Sequence, residues 1–273
     1  MCLSRTARTA AAVCVWVLLC GCKAPQTPDY DTPDAGPAEN APVVVFVSPE
    51  EGAIDVNRRP VIRVGFNRQL DAETLNNYTQ SLESGENNGR WTTSYYDPIK
   101  KQIVLWPAGY LLRRCTWVFT LNKGLTDTAG IPVTPGVVTS FRTGDDLIYE
   151  TPYHVRSYKE DIAPIFEIHC TSCHGGEEPI AGLRLDSEDA IATTAVSRPS
   201  NGRPSWNLVT PTQPGLSYLL YKLIDDGSTP GMMMPRSLDD NDLPAPLSNE
   251  EKEALVDWIT TGAVFFDPED TDQ

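Results

Sequence analysis

The chain has 273 residues, long enough for two domains that each bury a core, and 37 acidic against 22 basic residues give it a formal charge of -15. So negative a surface excludes nucleic acid as a natural partner and suits a basic protein or a cationic small carrier. Its hydrophobic content of 40% is that of an ordinary folded protein rather than of a disordered or membrane-embedded chain.

Residues 1–22 have the layout of a secretory signal: Arg5 and Arg8, an apolar run to Cys20, then Gly21-Cys22. The run is too short to span a bilayer. Leu19-Cys20-Gly21-Cys22 resembles the bacterial lipobox, which implies Cys22 as an acylated mature N-terminus and a membrane attachment through lipid. Cys20 fits less well, because bulky Leu19 stands before it. Lys23 in place of Asp after the anchor implies, by the same resemblance, the outer membrane. Residues 23–42 are rich in Pro, Asp, Thr and Ala without apolar period and read as a disordered tether.

From 43 to 144 short β-branched or aromatic runs alternate with turn signals. Strands are expected at 43–47, 61–66, 91–96, 102–106, 116–121 and 137–141, which predicts an all-β sandwich. Ser48-Pro49, Gly52-Ala53, Leu70-Asp71, Tyr96-Asp97, Asp127, Gly130 and Phe141-x-Thr143-Gly144 together resemble the bacterial Ig-like domain of envelope and surface-layer proteins. The resemblance implies a spacer or docking module. Residues 145–157 form a polar linker, in which His154 reads as a solvated residue, and the linker predicts that the segments on either side fold separately.

A helical pattern runs from 158 to 266, followed by an acidic tail at 267–273. Ile162, Ile165 and Phe166 share a stripe, with Pro164 in the first turn, where proline is tolerated. Ser217 to Ile224 reads as a short helix. Ser248 and Glu251 form an S-x-x-E capping box before Ala254, Leu255, Trp258 and Ile259, and Gly262 ends that helix.

Between the first of these helices and the second lies Cys170-Thr171-Ser172-Cys173-His174. Two thiols one helical turn apart can reach the two vinyl groups of one porphyrin while the adjacent imidazole comes to its iron, so the pentapeptide points to one covalent haem c. Chance placement of 7 Cys and 3 His would give it roughly 0.002 times per chain. A zinc site needs a second ligand pair, and a thioredoxin-like dithiol needs a βαβ setting; neither pattern is present. With Cys2, Cys14 and Cys20 in the leader, Cys115 has no evident disulfide partner and reads as a small buried hydrophobe.

Cys170-x-x-Cys173-His174-Gly175, Gly182-Leu183-Arg184-Leu185-Asp186, Leu208-Val209-x-Pro211-x-x-Pro214, Met234-Pro235 and Trp258-Ile259-x-x-Gly262-Ala263 resemble the mono-haem class I cytochrome c modules of large bacterial envelope proteins. The resemblance implies an all-α class I cytochrome c fold, His174 as proximal ligand and the Met before Pro as distal ligand. Thr212 departs from it, since relatives usually have Gly there. The residues alone leave Met232, Met233 and Met234, or water, open as the sixth ligand; the resemblance selects Met234. Leu183, Leu185 and Leu219 are candidate walls of the haem pocket, Arg184 and Arg203 candidate partners of its propionates, and His169 should point away from the iron.

The expected protein is an envelope lipoprotein that carries an electron and is not an enzyme by itself, with redox proteins of the envelope and the membrane as its partners. Two alternatives stand beside it: a haem sensor or peroxidase-like enzyme with an open sixth position, and an Ig-like binding subunit of a redox complex.

Overall fold

The computed structural model describes residues 40–85, 89–90, 92–224, 232–236 and 246–265. The leader with Cys22, nearly all of the tether and the acidic tail lie outside them.

Eight strands build the first segment: β1 (Val44–Ser48), β2 (Ala53–Val56), β3 (Ile62–Phe66), β4 (Gln80–Glu83), β5 (Thr92–Asp97), β6 (Gln102–Pro107), β7 (Thr116–Leu121) and β8 (Gly136–Thr143). One sheet has the order β1-β3-β6-β5 and the other β2-β8-β7-β4; β2 pairs parallel to β8 and every other pair is antiparallel. Strand side chains alternate between faces, so Ile62, Val64 and Phe66 of β3, Ile103 and Leu105 of β6, and Trp117, Phe119 and Leu121 of β7 close one core between the sheets. The expected sandwich is therefore present. β2 and β4 were not expected: each has only four residues, with apolar Ile54 exposed in one and polar Gln80 buried in the other, too few and too mixed to show a period. Cys115 is buried in this core, where a small hydrophobe was expected.

The second segment opens with a turn of π-helix, Tyr158–Ile162, capped by the Ser157 side chain, and continues as α1 (Ala163–His169) with Pro164 in its first turn. Then come α2 (Glu188–Thr194), capped by Ser187, α3 (Tyr218–Tyr221) and α4 (Asn249–Thr260). Both halves of the Ser248/Glu251 capping box are formed, and the helix ends just before Gly262, at φ +107°. Described helices are nonetheless few and mostly short, so the all-α expectation is only partly met. The reason is local: Pro199, Gly202, Pro204, Pro211, Pro214 and Gly215 punctuate the stretch between α2 and α3, which folds instead through bridges pairing Val196 with Val209 and Pro199 with Asn207. α2 escaped notice because only Ala190 and Ile191 of its residues are buried, too few to reveal a stripe.

The two segments are not held apart by a solvated linker. Tyr95 of β5 and Val104 of β6 turn away from the sandwich core and join one apolar cluster with Tyr158, Ile162, Leu220, Leu255 and Ile259, and Trp106 packs against it. The connector is itself fastened: the Tyr95 hydroxyl donates to the Pro152 carbonyl at 3.2 Å, Tyr153 meets Trp106 edge-on, and Arg156 pairs with Asp257 at 3.0 Å. His154 is exposed, as a solvated residue should be. Because β6 is buried on both faces, Val104→Ala is expected to cost about 2 kcal/mol, from lost methyl burial plus the cavity left behind. Urea unfolding should show one transition at a lower midpoint for the whole chain, whereas Val45→Ala, at a position 63% exposed, should change stability by less than about 0.5 kcal/mol.

Candidate functional site

α1 ends in the Cys-x-x-Cys-His peptide and hands its hydrogen bonding to it. The Cys170 amide donates to the Phe166 carbonyl at 2.9 Å, and those of Cys173 and His174 donate to the Cys170 carbonyl at 3.2 and 2.8 Å. This single turn places both sulfurs and the imidazole on one cavity wall. Cys170 and Cys173 are the free cysteines among the described residues. Burial, with a smaller contribution from neighbouring Cys173, pushes the Cys170 thiol up to about 12, so it is protonated at neutral pH. Gly175 follows because nothing larger fits: a Cβ there would lie 2.6 Å from the Thr171 carbonyl oxygen. The loop then folds back, with amide donations from Ile180 to the Cys173 carbonyl and from Leu185 to the His174 carbonyl at 2.9 and 2.7 Å.

That return loop sets the imidazole. Nδ1 of His174 lies 3.1 Å from the Ile180 carbonyl oxygen, which only accepts, so Nδ1 carries a proton and Nε2 is the ring nitrogen left for a metal. His169, one residue before Cys170, was expected to point away, yet it also lines the cavity; its Nε2 lies 2.9 Å from Glu251 of the α4 capping box.

The cavity, about 680 Å³, is of a size that takes a large cofactor. Its apolar walls include Leu183, Leu185, Leu208, Leu219 and Leu223, three of which were expected from the sequence. The two arginines expected near acidic cofactor groups are not on its lining: Arg184 binds Asp186 at 3.0 Å, and Arg203 stacks on the Trp206 ring at 3.5 Å. Arg198, Lys222 and Arg236 line it instead. Arg198 comes from the bridged loop after α2, and no sequence period marks such a position. Among the methionines, Met234 lines the cavity; Met232 is 63% exposed, with its sulfur 3.0 Å from an Arg236 nitrogen. Met234 is anchored through its backbone, whose amide donates to the Lys222 carbonyl at the end of α3 at 2.6 Å.

Two neighbouring thiols, an imidazole nitrogen, a thioether and leucine walls around one cavity form a donor set that fits a covalently held haem. No cluster of three or more His, Cys, Asp or Glu suited to a bare metal ion occurs among the described residues.

Comparison with known proteins agrees with both halves. Residues 38–143 match the family model "Bacterial Ig-like domain" and residues 170–237 match "Planctomycete cytochrome C". The chain thus carries an Ig-like domain and a cytochrome-type domain, and the second points to a haem cofactor. No curated protein matches it. Among solved structures it is similar to domains 1–6 of the surface layer protein SbsC, at 17% identity and TM-score 0.31 over 38% of this chain and 14% of that one. It is also similar to CopC from Methylosinus trichosporium OB3b, at 14% and 0.31 over 40% and 99%, and to L,D-transpeptidase 1 of Mycobacterium tuberculosis, at 18% and 0.26 over 38% and 40%.

Thr212, inside the cytochrome match, adopts φ +64°, a region costly for a β-branched residue, while its amide donates to the Ile259 carbonyl at 2.8 Å. Relief of that strain outweighs the added chain entropy of glycine, so Thr212→Gly should stabilise the protein by about 1 kcal/mol in urea titration. A lower midpoint would show that the Thr212 side chain makes an offsetting contribution.

Proposed function

We propose that the protein is a lipid-anchored c-type cytochrome of the bacterial envelope, carrying one electron through a single haem covalently bound by Cys170 and Cys173. The observation that carries this is the convergence of Cys170, Cys173, His174 and Met234 on one leucine-walled cavity. Bound haem supplies one-electron exchange between ferric and ferrous iron.

Each thiol supplies a sulfur for a thioether. His174 offers Nε2 as proximal ligand, and the Ile180 carbonyl holds the ring by taking its Nδ1 proton in a hydrogen bond. Met234 offers a soft sulfur from the distal wall, which favours the ferrous state and raises the potential. The leucines keep water out, and the low dielectric they create also disfavours the more highly charged ferric site. Arg198, Lys222 and Arg236 at the cavity are suited to the haem carboxylates. If His174 and Met234 both hold the haem, its iron would have no place left for substrate, and the protein would act as a carrier rather than an enzyme. The helical segment, in this reading, is a class I cytochrome c fold with its loops extended.

No helix among the described residues is long and apolar enough to cross a membrane. Attachment is assigned to Cys22, with the outer membrane as its site and envelope redox proteins as electron donor and acceptor.

Purified ferric protein should show the weak long-wavelength charge-transfer band of a Met-ligated haem, and the ferrous form should resist carbon monoxide. Met234→Ala should abolish the band, admit carbon monoxide and lower the potential, while alanine at Met232 or Met233 should have smaller effects. Rapid carbon monoxide binding by the unsubstituted protein would favour the sensor or peroxidase-like alternative. For the anchor, Cys22→Ser should shift the protein from the membrane to the soluble fraction or leave it as uncleaved precursor, and a mature N-terminus found at another residue would refute the assignment.

A further inference from the structure

The distal wall of the cavity is not supported by the helical segment alone. Met234 hangs from the carbonyl of Lys222, the residue that closes α3. α3 is a single turn, and its position is set by what precedes it: the 3-10 turn Pro214–Leu216 and the buried ring of Trp206. Both rest on the β-sandwich. Gly215 packs so closely against it that an added Cβ would come within 2.8 Å of the Cβ atoms of Ala72 and Tyr96. The Trp206 indole N–H donates to the carboxylate of Glu73, in the sandwich's 3-10 turn Ala72–Thr74. From there the contacts run to α3: the Trp206 ring meets Tyr221 edge-on at 5.1 Å, and the Tyr221 hydroxyl donates to the Gly215 carbonyl at 3.0 Å. Lys222 is the next residue.

We propose that the Ig-like domain positions the distal haem ligand, through Glu73, Trp206 and Tyr221, and is therefore a working part of the redox site rather than a spacer. Glu73 and Trp206 are positioning residues in this scheme. Neither lines the cavity, and both act on Met234 through α3. The proximal side stands apart from this support, since Cys170, Cys173 and His174 are held by α1 and their own return loop. Loosening the sandwich contact should consequently leave haem attachment intact and weaken only the sixth ligand. The inference rests on the His174/Met234 assignment above.

The test uses the full-length holoprotein with Glu73→Ala, Trp206→Phe and Glu73→Gln. Phenylalanine keeps a ring against Tyr221 but removes the indole donor; glutamine keeps an acceptor for it. Covalent haem per chain should equal the parent in all three. In Glu73→Ala and Trp206→Phe the rate of carbon monoxide binding to ferrous protein should rise about tenfold and the charge-transfer band should weaken, because a larger fraction of molecules has the sulfur off the iron. Glu73→Gln should stay near the parent. Glu253→Ala, which breaks the Lys100–Glu253 pair on another part of the same domain contact, should leave both signals unchanged. Parent-like carbon monoxide rates in both Glu73→Ala and Trp206→Phe overturn the proposal, as does equal acceleration in Glu253→Ala, which would mean general loosening. A parent protein that itself binds carbon monoxide rapidly instead overturns the Met234 assignment, and the proposal with it.

Discussion

β6 is buried on both faces, and the rest of the molecule is arranged around that constraint. Its inward residues Ile103 and Leu105 complete the sandwich, while Val104 between them completes the helical cluster. Side chains alternate strictly along a strand, so a slip of one residue against β3 or β5 would exchange the two sets and ruin both cores together. The in-register ladders of β6 with Ile62–Gly65 on one side and Thr92–Asp97 on the other hold this phase. Two segments of unlike architecture are in this way made parts of one cooperative structure.

The cavity inherits a division of labour from the same arrangement. Its proximal wall is local: the sulfurs, the imidazole and the carbonyl that orients the imidazole all come from α1 and the loop directly after it. Its distal wall is assembled over long sequence separation, from α3, the 232–236 stretch and, behind them, the sandwich. Local structure can form as soon as the peptide is made. Long-range structure depends on the complete fold, so the two walls differ in what can disturb them.

Much of this was legible in the sequence. The haem peptide, the capping box at Ser248 and six of the strands are local patterns whose chemistry or period identifies them. What stayed hidden depends on contacts between distant residues. The return loop that aims His174 is irregular backbone, and Arg198 reaches the cavity from a bridged loop, so neither has a period to betray it. Arg184 and Arg203 looked eligible for the cavity by position and are taken up by Asp186 and Trp206 instead. One available signal went unread: Ile103-Val104-Leu105-Trp106 is an unbroken apolar run, and such a run marks a strand covered on both faces rather than one with a solvated side. Taken at face value it contradicts a pair of domains separated by a flexible linker.

Glu251 serves two masters. Its carboxylate accepts from the Ser248 amide to close the α4 capping box, and it also meets His169 immediately before the haem peptide. Burial raises its pKa, but the Ser248 amide and His169 outweigh that and leave it below the usual carboxylate range, so it remains ionised at neutral pH. Helix ends are ordinarily where a structure frays first. Here the first turn of α4 cannot unwind without releasing the residue beside Cys170, so the breathing of that helix end and the steadiness of the proximal wall become a single motion.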